Sequence, residues 1–507
     1  MPEKMLRFLV NGDAVEVTGI AAQATVLEYL REERGLMGTK EGCAEGDCGA
    51  CTVVLAEPDG MGGVSWKPFN ACIRLLPSIA GKAIFTVESL QSDDCTLHPV
   101  QRALVECHGS QCGFCTPGFV MSLFGLYKNA GRPSRAEVAD AISGNLCRCT
   151  GYRPILDAAD RMYAIDPASH DATGWRGPGI ADDGSRRVSK DEERLALQLA
   201  LLAGSDDLRY EADGRTWFAP RTLDAVVAAC AANPSARIVA GATDVGLWVT
   251  KHQRDLGDII YVGDCDELRS TKDTADALEI GAAASLSDAF AALDAQWPEL
   301  REVWSRFASV PVRNTGTLGG NVANGSPIGD SMPVLIALAA TVVLRSESAT
   351  RELPLEDFYL SYQKTALTTG EFVAAIRVPH RREGLLLRAY KVSKRFDQDI
   401  SAVFACFALS LRDGLVAGAR IGCGGVAPVP VRASITEGAL AGRAWNDETA
   451  DAAAQILAGE FAPISDMRAS AGFRRTVLGN LMRRFRLETS EKPAATRVDN
   501  PRLAPAE

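Results

Sequence analysis

The amino-acid sequence predicts a multidomain α+β protein. Its 507 residues exceed the length of one ordinary domain and suggest three or four. Ten of the 14 cysteines lie between Cys43 and Cys149, and strand-like and helix-like segments alternate from about residue 206 onward. With 47% apolar and 23% charged residues, the chain can bury several hydrophobic cores.

Charge and hydropathy exclude two classes of partner. A net charge of −10 makes nucleic acid and anionic membrane surfaces poor partners. The longest mostly apolar run, Met332–Leu344, is shorter than the ~18–20 residues of a spanning helix. The N-terminal apolar patch ends at the turn pair Asn11-Gly12, which indicates a strand rather than a signal peptide. We therefore expect a cytoplasmic protein that binds neither nucleic acid nor membrane.

Residues 1–80 are predicted to form a β-grasp domain of the ferredoxin type. Leu6–Val10 and Ala14–Val17 flank the turn pair and predict a hairpin. Thr25–Glu28 is a capping box that begins a helix, and Thr52–Leu55 is a β-branched strand after a Gly- and Cys-rich loop. This order of hairpin, helix, loop and strand suits the β-grasp fold.

Residues 81–165 are predicted to form a small bundle of four helices. Pro99–Cys107 is the first, and Thr116 followed by proline marks the start of the second. Ser134–Glu137 is a capping box for the third, and Pro154 opens the fourth.

The rest of the chain divides by composition. Residues 166–205 are rich in Gly, Pro, Asp and Ser and predict a linker over the surface. Residues 206–382 alternate strands and helices and predict an α/β domain. Residues 383–490 combine a hairpin at Asp413-Gly414 with two amphipathic helices, so we expect a C-terminal α+β domain. Residues 491–507 are predicted to be a flexible tail.

The first set of cysteines has the spacing of a plant-type [2Fe–2S] site. Cys43, Cys48 and Cys51 form C-x4-C-x2-C, and Cys72 follows after 20 intervening residues. Small residues in the loop would let its backbone curl around the cluster and direct N–H groups at the sulfurs. Zinc is the alternative, but structural zinc sites usually pair two C-x2-C units and this set contains one.

The second set consists of two shorter motifs. Cys112 and Cys115 form C-x2-C, and Cys147 and Cys149 form C-x-C after 31 intervening residues. The first pair precedes the helix predicted to begin at Thr116, whose positive end would favour thiolates. A second [2Fe–2S] cluster explains both motifs, while a redox dithiol or half of a zinc site remains an alternative for C-x2-C.

Three strings of residues resemble the molybdenum hydroxylase family, and within it the xanthine dehydrogenases most closely. They are Gly42–Cys51, Gln111–Gly118 and Gly144–Arg153. The resemblance implies that both cysteine sets ligate [2Fe–2S] clusters, the second in a four-helix bundle beside a molybdopterin. It further implies that Gln111 and Cys149 lie near that pterin.

Two Gly-rich segments suggest phosphate binding. In the first, an apolar strand beginning at Ile238 runs into Gly241, Thr243 and Asp244. The second, 314–330, is dense in Gly, Thr, Asn and Ser. Both could offer backbone N–H groups to a phosphate, although each also suits an ordinary turn and the first lacks the Rossmann pattern. Together they resemble the FAD-binding domain of the same family, which vanillyl-alcohol-oxidase-type flavoproteins share.

The resemblance assigns FAD contacts to residues of both segments and to three positions elsewhere. Those expected to hold the pyrophosphate are Ile238, Val239, Ala240, Gly241, Ala242, Thr243, Asp244, Val245, Thr317, Leu318, Gly319, Gly320 and Asn321. The others are Phe307 stacking on the flavin, Asp330 at the ribitol or ribose, Lys391 near the flavin, and Val373 at a backbone contact.

The segment 392–400 corresponds to a loop beside the flavin where NAD⁺ approaches in the family. It contains Lys394, Arg395, Asp397 and Asp399. The same residues would also suit a solvated charged loop. A role in NAD⁺ binding is therefore a hypothesis that rests on the resemblance.

The resemblance as a whole implies an electron-transfer subunit of a xanthine dehydrogenase. Electrons would pass from a molybdopterin centre through two [2Fe–2S] clusters to FAD and then NAD⁺, while hypoxanthine and xanthine are oxidised to urate. The family enzymes continue into a large molybdopterin domain, for which 507 residues leave no room. We therefore expect a separate molybdopterin-binding large subunit, an α2β2 heterotetramer and no xanthine-site catalytic residue in this chain.

Two other functions are weighed against this one. A different molybdenum hydroxylase would act on an aldehyde, an N-heterocycle or CO. A binding protein could keep the fold without redox chemistry, but all eight expected thiols are present, which argues against that reading.

Overall fold

The computed structural model describes residues 5–92, 94–165, 174–181 and 183–496. Its first sheet has the strand order β2-β1-β5-β3-β4. The strands are β1 (Met5–Val10), β2 (Asp13–Thr18), β3 (Thr52–Pro58), β4 (Val64–Asn70) and β5 (Ala83–Phe85). Because β1 is parallel to β5 and antiparallel to β2, the sheet is mixed.

Local signals set the first hairpin and the first helix as predicted. Asn11 and Gly12 have φ of 56° and 97°, the left-handed conformation that a two-residue hairpin turn requires. Thr25 forms a capping box with Glu28 at the start of α1 (Val26–Glu28). A π-helical turn, Tyr29–Glu33, continues that helix.

Four helices follow, as the sequence predicts. They are α2 (Pro99–Glu106), α3 (Thr116–Asn129), α4 (Arg135–Ala141) and α5 (Arg153–Met162). The N-cap of α3 is Cys115, so Thr116 is its first helical residue rather than its cap. Side chains of α3 such as Phe119 and Phe124 share a core with Val54 and Phe85 of the first sheet. This shared core holds the helices rigidly against one face of the sheet.

The segment 166–205 is not the simple linker that its composition predicts. Residues 190–203 form α6 (Lys190–Ala203), whose Leu199 is fully buried in the core shared with the first sheet. Glu192 accepts a hydrogen bond from Trp66 Nε1 at 2.9 Å and lies 2.9 Å from Lys128 Nζ. The charged and Leu-rich composition did not reveal this amphipathic helix, because polar residues of the helix also bond to the protein interior. Residues 166–173 and 182 lie outside the described residues.

Two sheets follow, with strand orders β6-β7-β9-β8 and β10-β11-β16-β12-β13. The strands are β6 (Leu208–Ala212), β7 (Arg215–Ala219), β8 (Arg237–Val239), β9 (Ile259–Tyr261), β10 (Thr271–Asp273), β11 (Ala277–Gly281), β12 (Thr341–Arg345), β13 (Thr350–Pro354) and β16 (Phe372–Pro379), and β14 (Tyr359–Ser361) pairs separately with β15 (Lys364–Thr365). The helices are α7 (Leu223–Ala232), α8 (Val245–Thr250), α9 (Asp266–Arg269), α10 (Leu286–Gln296), α11 (Arg301–Ser305), α12 (Val310–Thr315), α13 (Leu318–Asn324) and α14 (Ser331–Ala337).

The last sheet is antiparallel, with the order β17-β18-β19-β20. Its strands are β17 (Leu386–Val392), β18 (Val403–Arg412), β19 (Leu415–Gly424) and β20 (Val431–Arg432), and its helices are α15 (Ser434–Leu440), α16 (Asp447–Glu460) and α17 (Ala471–Glu488). The predicted hairpin at Asp413-Gly414 joins β18 to β19.

The predicted tail, 491–507, falls mostly outside the described residues, which end at 496. Within the described part, Ala494 N–H donates to the Leu487 carbonyl at 3.0 Å. Every helix in the described ranges is too short or too polar to cross a lipid bilayer.

Candidate redox site

The first four cysteines converge between the first sheet and its long loop. Cys51 Sγ lies 3.3 Å from Cys72 Sγ, and both side chains are buried. Hydrogen bonds from the Cys48 and Cys72 thiols hold the pKa of Cys43 well below its usual range. The loop backbone adds further donors, because Asp47 N and Cys48 N lie 3.4 and 3.3 Å from Cys43 Sγ. The structure thus places all four predicted ligands together.

Glycines let the loop fold tightly around these sulfurs. Gly46 and Gly49 have φ of 78° and 69°. A Cβ added to Gly42 would lie 2.8 Å from Cys48 Sγ. The loop is therefore shaped around its thiols, and the residues present fit a [2Fe–2S] cluster with several backbone donors.

The second four cysteines meet between the start of α3 and the loop that joins α4 to α5. The side chains of Cys112 and Cys149 hydrogen-bond each other, as do those of Cys115 and Cys147. Thr150 N donates to Cys147 Sγ at 3.4 Å. Each pair thus combines one cysteine of C-x2-C with one of C-x-C. Two such pairs suit a cluster of two irons in which each iron has two protein ligands.

This pairing bears on the zinc alternative. In the second set the thiols contact each other in two pairs, Cys112 with Cys149 and Cys115 with Cys147. In the first set Cys43 contacts both Cys48 and Cys72, so the pairing argument applies to the second set. A two-iron cluster takes two thiolates at each iron, whereas structural zinc takes four ligands at one ion.

The two cysteine loops are in direct contact. Asn145 Nδ2 donates to the Gly49 carbonyl at 3.0 Å, and Leu146 N donates to the Cys48 carbonyl at 3.0 Å. A Cβ added to Gly118 at the start of α3 would lie 2.1 Å from the Gly49 carbonyl oxygen. Backbone-to-backbone approach at this point brings the two candidate cluster sites next to each other.

The first cysteine loop also touches the candidate flavin region. Thr250 Oγ1, at the end of α8, donates to the Ala44 carbonyl at 2.7 Å. A Cβ added to Gly246 would lie 2.3 Å from the Ile73 carbonyl oxygen, next to the Cys72 ligand. Since α8 follows directly on the segment 238–245, that segment is held against the first cluster loop.

The two Gly-rich segments meet, as a shared phosphate site requires. A Cβ added to Gly241 would lie 1.9 Å from the Thr315 carbonyl oxygen. Asn324 Nδ2 donates to Asp244 Oδ2 at 2.8 Å, and burial raises the pKa of Asp244. Thr317 caps α13 by accepting from Gly320 N at 3.1 Å. The close backbone approach explains the glycines and fits a site built from backbone donors.

Asp330 and Lys391 form a buried ion pair. Lys391 Nζ lies 2.6 Å from Asp330 Oδ2, and each side chain is 4% exposed. Ser401 Oγ donates to Asp330 Oδ1 at 2.5 Å. The pair joins α14 to β17 and places both residues predicted to contact FAD at one point.

The other predicted contacts lie in different settings. Phe307 is 9% exposed and packs edge-on against Phe290 at 5.2 Å. Val373 pairs with Leu344 inside the second of the two central sheets. Gln111 is exposed beside Cys112. Their proposed roles with FAD or pterin remain predictions.

Sequence reasoning missed Arg306, which organises the loop beside Lys391. Its guanidinium donates to the Lys391 carbonyl at 3.2 Å, to Ser393 Oγ at 3.1 Å and to the Phe396 carbonyl at 3.1 Å. It also lies 4.4 Å from the centroid of the Phe396 ring, and burial lowers its pKa. The only available sequence signal was its place next to Phe307.

Asn145 and Arg313 are the other residues that sequence reasoning did not single out. Asn145 belongs to the motif Gly144–Arg153 and joins the two cysteine loops through its hydrogen bond to the Gly49 carbonyl. Arg313 Nη2 binds both carboxylate oxygens of Asp140, at 2.9 and 3.0 Å, and so joins α12 to α4. Long-range partners of this kind leave no local pattern.

The charged loop 392–400 lies near the first cysteine loop. Arg395 N donates to Asp399 Oδ2 at 2.8 Å, and Lys394 Nζ donates to the Met467 carbonyl at 2.8 Å. Arg395 and Asp399 act electrostatically on Asp47, whose pKa is raised chiefly by burial. The loop therefore lies close enough to the first cysteine loop for its charges to act on Asp47.

Four family models match consecutive parts of the chain. They describe a 2Fe-2S iron-sulfur cluster binding domain (8–73), a [2Fe-2S] binding domain (86–160), an FAD binding domain in molybdopterin dehydrogenase (209–381) and a CO dehydrogenase flavoprotein C-terminal domain (388–489). Fold and site together define an iron–sulfur flavoprotein with two [2Fe–2S] clusters and FAD. The predicted fold class is thereby confirmed.

Similar proteins identify the family. A xanthine dehydrogenase of Emericella nidulans is 35% identical over 87% of this chain and 35% of its own length. Aldehyde oxidase 1 of Cavia porcellus is 33% identical over 97% of this chain and 40% of its own length. A solved carbon monoxide dehydrogenase from Hydrogenophaga pseudoflava is 27% identical, with a TM-score of 0.51 over 55% of this chain and 96% of that one. This chain belongs to the molybdenum hydroxylase family. It spans 35% of the length of the curated xanthine dehydrogenase and 40% of the length of the curated aldehyde oxidase.

Proposed function

We propose that this chain is the electron-transfer subunit of a cytoplasmic xanthine dehydrogenase, an NAD⁺-dependent oxidoreductase of purine catabolism. When bound, its two [2Fe–2S] clusters and FAD carry electrons from a molybdopterin centre on a partner subunit to NAD⁺. The observation that carries this proposal is the unbroken series of contacts from the second cysteine loop through the first to the flavin segments. Asn145, Thr250 and Gly246 make those contacts.

The chain's own residues support a direction for this transfer. Cys112 and Cys149 are exposed, whereas Cys51 and Cys72 are buried on the side of the flavin segments. Phe114 and Leu146 beside the exposed pair are 47% and 40% exposed. An apolar rim around exposed ligands favours a protein partner at that end. Electrons would therefore enter at the second cluster and leave at the flavin.

The partner proposed for this rim is a molybdopterin-binding large subunit, and two copies of each would form an α2β2 heterotetramer. The curated xanthine dehydrogenases extend well beyond the part that matches this chain, which covers 35% to 41% of their length. We assign the purine site to the part of those relatives that lies outside the match. Consistent with this, no residue of this chain is proposed to act on xanthine itself.

At the other end, the loop 392–400 is proposed to receive NAD⁺. Arg306 fixes the backbone of this loop beside Lys391, and Lys391 is held by Asp330. Arg395 supplies an exposed positive charge that could meet a dinucleotide phosphate. Arg395→Ala and Asp397→Ala, with their clusters and FAD intact, are expected to slow NAD⁺ reduction, and unchanged kinetics would remove the loop from the proposal.

The alternative function is electron transfer in another molybdenum hydroxylase, acting on an aldehyde, an N-heterocycle or CO. The match to an aldehyde oxidase at 33% identity favours keeping it. Because the chain's cofactor sites would serve any of these substrates, the partner decides between the two functions.

The test is reconstitution with the co-purifying large chain. With xanthine as donor, we expect NAD⁺ reduction that needs both chains, together with cluster and flavin absorption bands. Oxidation of aldehydes, quinoline or CO without xanthine activity would establish the alternative. Xanthine oxidation by this chain alone, metal-replete, would contradict the division of labour, and a colourless protein would contradict electron transfer.

A further inference from the structure

A cavity of about 60 Å³ lies between the first sheet and the FAD-binding region, and none of its lining residues is a cysteine. Its volume has room for one or two water molecules or one small anion. The residues that line it and matter here are Glu57, Lys67, Arg74, Lys82, Gly241 and Thr317. Gly241 and Thr317 belong to the predicted pyrophosphate segments, so the cavity adjoins that site.

Three cations of the cavity wall have carboxylate partners. Lys82 Nζ lies 2.7 Å from Asp264 Oδ1, in a pair whose side chains are 8% and 5% exposed. Lys67 Nζ lies 3.4 Å from an oxygen of Asp288. The third cation, Arg269, lies 3.5 Å from Glu57 Oε2. Each carboxylate at the wall is thus neutralised by a neighbouring cation.

Arg74 is the exception. Arg74 is only 8% exposed, and its Nε donates a hydrogen bond to Ser78 Oγ at 3.1 Å. The guanidinium carbon lies 4.9 Å from the centroid of the Phe69 ring. Across the described residues, its two terminal nitrogens have no hydrogen-bond partner, and no carboxylate lies within ion-pair distance. Glu57 acts on the guanidinium only electrostatically, from beyond ion-pair distance, so the terminal N–H groups have no acceptor, which is unfavourable for buried donors.

We propose that the cavity binds one small anion, held by the terminal nitrogens of Arg74. The anion is chloride or inorganic phosphate from solution, or a phosphate group of the bound FAD. Arginine's planar fork matches the oxygens of a phosphate, and the neighbouring Lys67 and Lys82 add positive potential. The anion accepts hydrogen bonds from the unpartnered N–H groups of Arg74 and joins the first sheet to the FAD-binding region.

The first experiment measures thermal unfolding of the holoprotein as gluconate, which is too large for the cavity, is replaced by phosphate or chloride at constant ionic strength. Wild type is expected to show a saturable rise in unfolding temperature, since a ligand that binds only the folded state stabilises it. Arg74→Gln should abolish the rise. Arg412→Gln, at an exposed arginine on β18, is the matched control and should retain it.

Repeating the titration on FAD-depleted protein separates the two sources. An anion from solution gives the rise with and without FAD. If the anion is a phosphate of FAD, added phosphate or chloride raises the unfolding temperature only in the FAD-depleted protein. In that case Arg74→Gln also raises the dissociation constant of FAD severalfold. No saturable rise in either form, or an equal rise in wild type and Arg74→Gln, would overturn the proposal.

A second measurement does not depend on the variant's folding. Wild-type crystals, with and without FAD, are soaked in bromide, and an anomalous peak beside Arg74 is expected in at least one form. A cavity that holds only water in both forms contradicts the proposal. Neither readout uses xanthine or NAD⁺, so failure here is separate from failure of the proposed function.

Discussion

The two cysteine sites share one proposed cluster type but differ in their surroundings. Cys51 and Cys72 of the first site are 1% and 2% exposed, enclosed by the sheet, α3 and α8. In the second site, Cys112 and Cys149 are exposed at the molecular surface. The first site therefore has its neighbours within the chain, while the second presents its ligands outward. Burial thus assigns the first an internal role and the second a role at an interface.

Removing an exposed ligand gives the largest expected effect. Cys149→Ser should lower the iron content from about four to about two per chain and abolish electron entry from the partner. The NADH-to-dye activity of the flavin should persist, because the thiol partners of Cys149 are Cys112 and Cys147 of its own site. Iron analysis and the two activities measure this. Loss of both clusters in the variant would contradict the independence of the two sites.

A methyl group at the contact between the sites has the next largest effect. In Gly49→Ala the new Cβ would lie 2.2 Å from the Gly144 carbonyl oxygen, and overpacking of this kind costs about 1–3 kcal/mol. The control is Gly60→Ala, whose φ of 73° imposes a similar backbone strain in open space. Gly113→Ala at the second site also meets open space and should behave like the control. The free energies of unfolding of the three variants are compared by denaturant unfolding followed by cluster absorbance. Equal losses of stability would show that the positive φ, and not the contact with Gly144, causes the destabilisation.

The stability of the contact between the first sheet and the FAD-binding region, where Glu57 lies, should also depend on pH. Burial would raise the pKa of Glu57, but Arg269 and Lys82 outweigh it and lower the pKa to about 2. Because the folded pKa is below the unfolded value of 4.5, its contribution is present above about pH 4.5 and lost as pH falls toward about 2. That contribution is at most about 3 kcal/mol.

Glu57→Gln is therefore expected to be less stable than wild type at neutral pH, with the difference shrinking as the pH falls below about 4.5. Because acid releases iron from both proteins, the quantity compared is the difference between their unfolding midpoints at each pH. A difference that stays constant from pH 7 to pH 3 would contradict the ion-pair account.

The smallest effect on stability is expected at the exposed rim. Phe114→Ala removes a side chain that is 47% exposed, so the unfolding free energy should change by less than about 0.5 kcal/mol. Affinity for the large subunit should nevertheless fall, which titration of the two chains measures. The exposed Met61→Ala, on a loop distant in sequence, is the control. Unchanged affinity would remove the rim from the proposed interface.

Local signals predicted many elements and all eight thiols. The capping boxes at Thr25 and Ser134 begin helices where they were expected. Cysteine spacing predicted the first ligand set, whereas the second set was assigned to a cluster through the family resemblance. The exception was α6, whose polar side bonds to Trp66 and Lys128 from distant strands and helices. A helix stabilised by such partners resembles a charged linker in sequence.

The sequence by itself determined the fold class, the two cysteine motifs and the order of the cluster-binding and FAD-binding domains. These depend on interactions between residues close together in the chain, or on residue types that only one chemistry requires. Only the tertiary structure decided which cysteines are buried, that Asn145 joins the two cluster loops, and that Arg74 lines a cavity with no acceptor for its terminal nitrogens. Burial and charge balance depend on residues hundreds of positions apart, which become neighbours only when the sheets and helices pack.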